Sequence, residues 1–146
     1  MKIRVINGPN LNMLGIREPD IYGRQTYSDL ADMIKEHADK IGTDVEVLQS
    51  NHEGDLVDMI QECYGKIDGI VINPGAYTHT SVAIYDAAKA VSIPMIEVHI
   101  SDVDKREAFR QTSYIRAACI KTITGHGFNG YIEAIDFLKK YIEENG

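Results

Sequence analysis

Residues 69–81 read Gly69-Ile70-Val71-Ile72-Asn73-Pro74-Gly75-Ala76-Tyr77-Thr78-His79-Thr80-Ser81. Gly69–Ile72 is a continuous apolar run of strand length. A loop with Pro and Gly follows, and Ser81–Val91 then carries a helical pattern with Thr80 or Ser81 as its N-cap. The same alternation extends on both sides. Upstream, Lys2–Asn7 is a β-branched run that reads as a strand. Ser28–Ile41 sets Leu30, Met33, Ile34, Ala38 and Ile41 at helical spacing and stops at Gly42. Val45–Leu48 reads as a second strand, and Leu56, Met59, Ile60 and Cys63 mark a helix after the Asn51–Gly54 turn. Downstream, Pro94–His99 and Cys119–Thr124 read as strands four and five, and a Gly-rich turn leads to a C-terminal helix from about Tyr131 to Glu144.

Strands alternating with helices imply an α/β architecture, with a parallel sheet, right-handed crossovers and helices on both faces. Five strands and five helices in 146 residues predict a flavodoxin-like doubly wound sheet of order 2-1-3-4-5, with a Rossmann half as the next choice. In such sheets ligands bind beyond the carboxyl ends of the strands, at the switch point between strands 1 and 3.

The length predicts a single domain, residues 1–146, large enough to close a core without disulfides or metals. Fifteen Lys and Arg against 22 Asp and Glu leave a formal net charge of −7, which argues against a nucleic-acid partner. No apolar run approaches the ~20 residues of a membrane span, and Met1–Asn7 turns polar too soon for a signal peptide. The two cysteines, Cys63 and Cys119, form no ligand motif and read as buried reduced thiols of a cytoplasmic protein. The histidines at 37, 52, 79, 99 and 126 show no metal-ligand spacing.

Three loops converge at the carboxyl edge. Strand 1 runs into Asn7-Gly8-Pro9-Asn10, strand 3 into Asn73-Pro74-Gly75, and strand 4 ends Glu97-Val98-His99-Ile100-Ser101. Asn7, Asn10 and Asn73 suit either turn closure or a polar site. His79 suits a helix cap or a site, and Thr78, Thr80 and Ser81 outnumber what one cap needs. Glu97 and His99 are two apart on an apolar strand and therefore neighbours on one face. A carboxylate there is costly unless paired, so Glu97 is expected to hold His99. Residues 16–25 are long enough for a lid, and Arg17 beside Tyr22 would favour a phenolate. Arg106 and Arg110 have i,i+4 spacing, and one turned inward would clamp a carboxylate.

Rival chemistries lack their residues. A phosphoacceptor receiver needs acidic residues where Asn7, Asn10 and Asn73 stand. Pro9 removes an N–H from any FMN phosphate loop, and neither GxxxxGK[ST] nor GxGxxG occurs. No Lys lies at the strand ends for an imine.

The blocks NGPNLNMLGIREPDIYG at 7–23, NPGAYTHTSVAIYDA at 73–87 and EVHISDVDKREAFRQTSY at 97–114, with GFNGY at 127–131, resemble type II 3-dehydroquinases. The resemblance implies a flavodoxin-like lyase of the shikimate pathway and aromatic amino-acid biosynthesis. It would eliminate water, anti, from 3-dehydroquinate through an enolate to give 3-dehydroshikimate. It implies Tyr22 as base and Arg17 as the cation that keeps it anionic. Asn10 would hold a water on the enolate oxygen. His99 would be the general acid and Glu97 its orienting partner. Substrate binding would fall to Asn73, His79, Ile100, Ser101 and Arg110, with Asp86 reaching a neighbouring subunit's site in a dodecamer of trimers. It implies no cofactor and no metal. The chain departs from the family at Asp102, where Asn is usual, and over Arg116–Lys121. A catalytically silent small-molecule binder on the same scaffold is the alternative.

Overall fold

The computed structural model describes residues 1–16, 20 and 24–146. Its strands are β1 (Lys2–Asn7), β2 (Asp44–Gln49), β3 (Gly69–Asn73), β4 (Met95–His99) and β5 (Lys121–Thr124). They form one parallel sheet of order β2-β1-β3-β4-β5, the arrangement the alternation predicts. Four α-helices stand among the described residues: α1 (Tyr27–Ile41), α2 (Glu53–Gln61), α3 (Val82–Val91) and α4 (Asn129–Asn145).

Alternation along the strands sorts side chains into two cores. Ile3, Val5, Val71, Ile96, Val98 and Ile123 pack with α1 and α4 through Leu30, Ile34, Ala134, Ile135 and Leu138. Ile6, Ile70, Ile72 and Met95 pack with α2 and α3 through Leu56, Ile60, Ile84 and Ala88. Both faces of the sheet are covered, as its apolar central strands require. No helix among the described residues is long and apolar enough to cross a membrane.

Two expectations need correction. Short 3₁₀ turns at Val103–Lys105, Ala108–Gln111 and Ile115–Ala118 carry the β4–β5 crossover. Arg106 and Arg110 therefore do not share a helix. Cys119 is only partly buried, whereas Cys63 is fully so. Burial pushes both thiols up, Cys63 to about 11 and Cys119 to about 12, so neither is a ready nucleophile. At the helix starts, Ser81 is the N-cap of α3, accepting from the Ile84 N–H. A capping box of Thr26 and Asp29 opens α1 one residue before the predicted start.

The switch point is built by close approach. A Cβ on Gly8 would lie 2.4 Å from the Pro74 carbonyl oxygen, and Gly75 takes φ +60 with the Pro9 carbonyl against it. The Gly8 N–H donates to the Asn73 carbonyl at 2.7 Å. Gly8→Ala is expected to force these loops apart and cost about 1–3 kcal/mol, seen as a lower urea midpoint at unchanged m-value. An unchanged midpoint would contradict this packing.

Candidate active site

A cavity of about 130 Å³ opens at the carboxyl ends of β1, β3 and β4, where the switch-point rule places a ligand. Asn10, Asn73, His79, His99, Ile100 and Ser101 all line it. So do Arg106 and Arg110, although each stands in or beside a different 3₁₀ turn. Asp86 is exposed on α3 and does not line the cavity. Arg17 and Tyr22 lie outside the described residues.

Glu97 is the most constrained group. Fully buried on β4, it has both oxygens in use. Its Oε2 accepts from Thr78 Oγ1 and Ser113 Oγ, each at 2.9 Å, and from His99 Nε2 at 2.5 Å. Its Oε1 accepts from Arg116 Nε at 3.2 Å and Thr122 Oγ1 at 3.3 Å. Burial alone would raise the Glu97 pKa. The His99 hydrogen bond and charge, the Arg116 guanidinium and Ser113 outweigh it and bring the carboxyl down to about 2. Glu97 is thus ionised, and its Oε2 holds the Nε2 of His99, a residue that lines the cavity.

This pairing has a pH signature. A folded pKa below the ordinary carboxylate value stabilises the fold above about pH 4.5 and loses that contribution as pH falls towards 2. Glu97→Gln is expected to flatten the dependence of Tm on pH across that window. An unchanged slope would mean that Glu97 is not depressed by its partners.

His79 ends the 3₁₀ turn Gly75–His79 and does not cap α3. Its Nδ1 donates to the Thr112 carbonyl at 2.5 Å, which makes Nε2 the acceptor of the neutral ring. Desolvation lowers its pKa against the raising pull of that carbonyl, and the charges of His99 and Arg110 lower it further. Arg110 is steadied by Glu107, whose Oε2 accepts from its Nε at 2.6 Å, and its guanidinium lies 5.1 Å from the Phe109 ring centre. Arg106 and Arg110 supply local positive charge in a chain that is acidic overall.

Asn10 sits at φ 70, a left-handed conformation that Asn tolerates better than most residues. Its N–H donates to Asn51 Oδ1 at 3.0 Å, and the same oxygen accepts from Gln49 Nε2 at 3.1 Å. Gln49 Nε2 also reaches the Gly8 carbonyl at 3.2 Å. Gln49 and Asn51 are thus supports for Asn10 that the sequence reading missed. Their only signal is a position at the end of the neighbouring strand. Nothing in the spacing of Thr78, Ser113, Arg116 and Thr122 marks them as partners of Glu97. Arg116 belongs to the segment where the chain departs from the resembled family.

Residues 1–139 match the family described as dehydroquinase class II. A 3-dehydroquinate dehydratase of Clostridium acetobutylicum is 56% identical over 144 residues, covering 99% of this chain and 100% of the relative. One of Fusobacterium nucleatum is 58% identical over 145 residues, covering 97% of this chain and 98% of the relative. The crystal structure of the type II dehydroquinase from Butyrivibrio crossotus superposes with a TM-score of 0.94 at 57% identity, covering 95% of this chain and 97% of that one. With the sheet order, the cavity at the switch point and these matches in agreement, the chain belongs to the class II dehydroquinase family.

Proposed function

We propose that this chain is a type II 3-dehydroquinate dehydratase, a lyase of the shikimate pathway that converts 3-dehydroquinate to 3-dehydroshikimate by anti elimination of water. The observation that carries the site reading is His99 at the cavity wall, with Nε2 committed to a fully buried, ionised Glu97. That geometry suits a general acid whose orientation is fixed by a carboxylate.

Tyr22, kept as phenolate by Arg17, removes a proton α to the ketone. The electron pair moves into the carbonyl to give an enolate, whose oxygen receives a hydrogen bond from a water on Asn10. The pair then returns, the C–O bond to the tertiary hydroxyl breaks, and His99 protonates the departing oxygen. With Nε2–H on Glu97, the ring acts as the doubly protonated imidazolium, gives its Nδ1 proton to the departing oxygen and is left neutral. One proton and one hydroxide leave the substrate as water, and a conjugated enone remains. Asn73, His79, Ile100, Ser101 and Arg110 hold the substrate hydroxyls and carboxylate.

Residues 1–146 act as a single catalytic domain in the cytoplasm. The chain assembles as a homo-oligomer, a dodecamer of trimers, in which the exposed Asp86 completes a neighbour's site. The test is to add 3-dehydroquinate to the purified protein and follow ultraviolet absorbance of the enone. Catalytic growth of that band is expected. Binding without turnover would overturn the proposal and leave a silent binder on the same scaffold.

A further inference from the structure

Tyr131 lies in the first turn of α4 and is completely buried. Its hydroxyl donates to Asn7 Oδ1 at 2.6 Å and accepts from Asn73 Nδ2 at 2.8 Å. Asn7 and Asn73 are register partners at the carboxyl ends of β1 and β3, the switch point itself. The direction of this relay follows from its far end. The Gly75 backbone N–H, which can only donate, reaches Asn73 Oδ1 at 3.1 Å. That fixes the Asn73 amide with its oxygen towards Gly75 and its nitrogen towards Tyr131. The tyrosine hydroxyl therefore accepts from Asn73, and its single proton goes to Asn7. Burial pushes the Tyr131 pKa far up, so the hydroxyl stays a neutral donor across the working range. Asn73 Nδ2 carries two protons. Tyr131 takes one, and Asn73 lines the cavity.

We propose that Tyr131 is a positioning residue of this site, fixing the Asn73 amide so that the second Nδ2 proton is presented to a substrate oxygen. The role rests on the reading of the cavity as the dehydratase site. A hydrogen bond made equally to substrate and transition state acts on KM and leaves kcat. Tyr131→Phe, which keeps the ring and its packing, is expected to raise KM for 3-dehydroquinate roughly tenfold with kcat within about threefold.

In an Asn73→Ala background, which has already lost the amide, the added Tyr131→Phe is expected to change KM less than about twofold. A structural role alone would lower Tm and leave KM untouched. Asn7→Ala supplies an independent route should Tyr131→Phe not fold. It removes the acceptor, frees the hydroxyl proton to turn towards Asn73, and is expected to raise KM in the same direction. Unchanged KM in the folded variants overturns the role, as does a full tenfold rise that persists without Asn73. Absence of wild-type turnover overturns the functional reading itself and this role with it. Wild-type turnover with unchanged KM in the variants overturns this role alone.

Discussion

His99→Ala is expected to lower kcat roughly 10³-fold while the protein stays folded and still binds substrate. Expulsion of hydroxide from a tertiary carbon is slow without a proton, and His99 is the cavity residue whose ring the buried carboxylate orients. Removing the ring also leaves Glu97 with one partner fewer. Thr78, Ser113, Arg116 and Thr122 remain on its oxygens, so the carboxylate is still paired and the fold survives. Single-turnover measurements at saturating substrate check the effect in the chemical step. Turnover like that of wild type would remove His99 from the acid role.

Tyr22→Phe is expected to cost more, roughly 10⁴-fold in kcat, with ligand binding nearly unchanged. A tyrosine titrates near ~10, so at neutral pH only about one molecule in a thousand would carry the phenolate without help. Arg17, five residues earlier, is the group proposed to supply that help. Phenylalanine has no proton to give up at any pH, and the enolate cannot form by this route. The comparison of kcat with the dissociation constant of an unreactive substrate analogue checks it. A variant that turns over normally would require a different base.

The fold was legible because its signal is local. Each strand is a short apolar run, and each helix shows its spacing within a dozen residues. The crossover between β4 and β5 broke the pattern for a physical reason. Val103 and Ile115 point inward twelve residues apart while Phe109 between them points outward, a pattern without helical spacing that suits short 3₁₀ turns rather than an amphipathic helix. Arg106 and Arg110 still reach one cavity, by a route the i,i+4 argument did not describe.

The site was legible in the same uneven way. Glu97 and His99 are two residues apart on one strand, and period-two geometry alone makes them neighbours. The other partners of Glu97 come from the loop after β3, from the crossover and from β5. Only the folded sheet brings Thr78, Ser113, Arg116 and Thr122 to one carboxylate. The Tyr131–Asn7 bond joins residues 124 apart, which no window along the chain can see. Asn7 and Asn73 read equally well as turn formers, and Asn73 does bond the Gly75 N–H as such a residue would. The same amide also ends a buried relay on the wall of the cavity.

The proposed mechanism sets a base and an acid on opposite faces of the substrate, Tyr22 from the sequence between β1 and α1 and His99 at the end of β4. The decisive measurement uses 3-dehydroquinate deuterated stereospecifically at the carbon between the ketone and the tertiary hydroxyl. Deuterium is expected to be lost to solvent when it lies anti to the hydroxyl, and retained in the product when it lies syn. Loss of the syn label with retention of the anti label would contradict it.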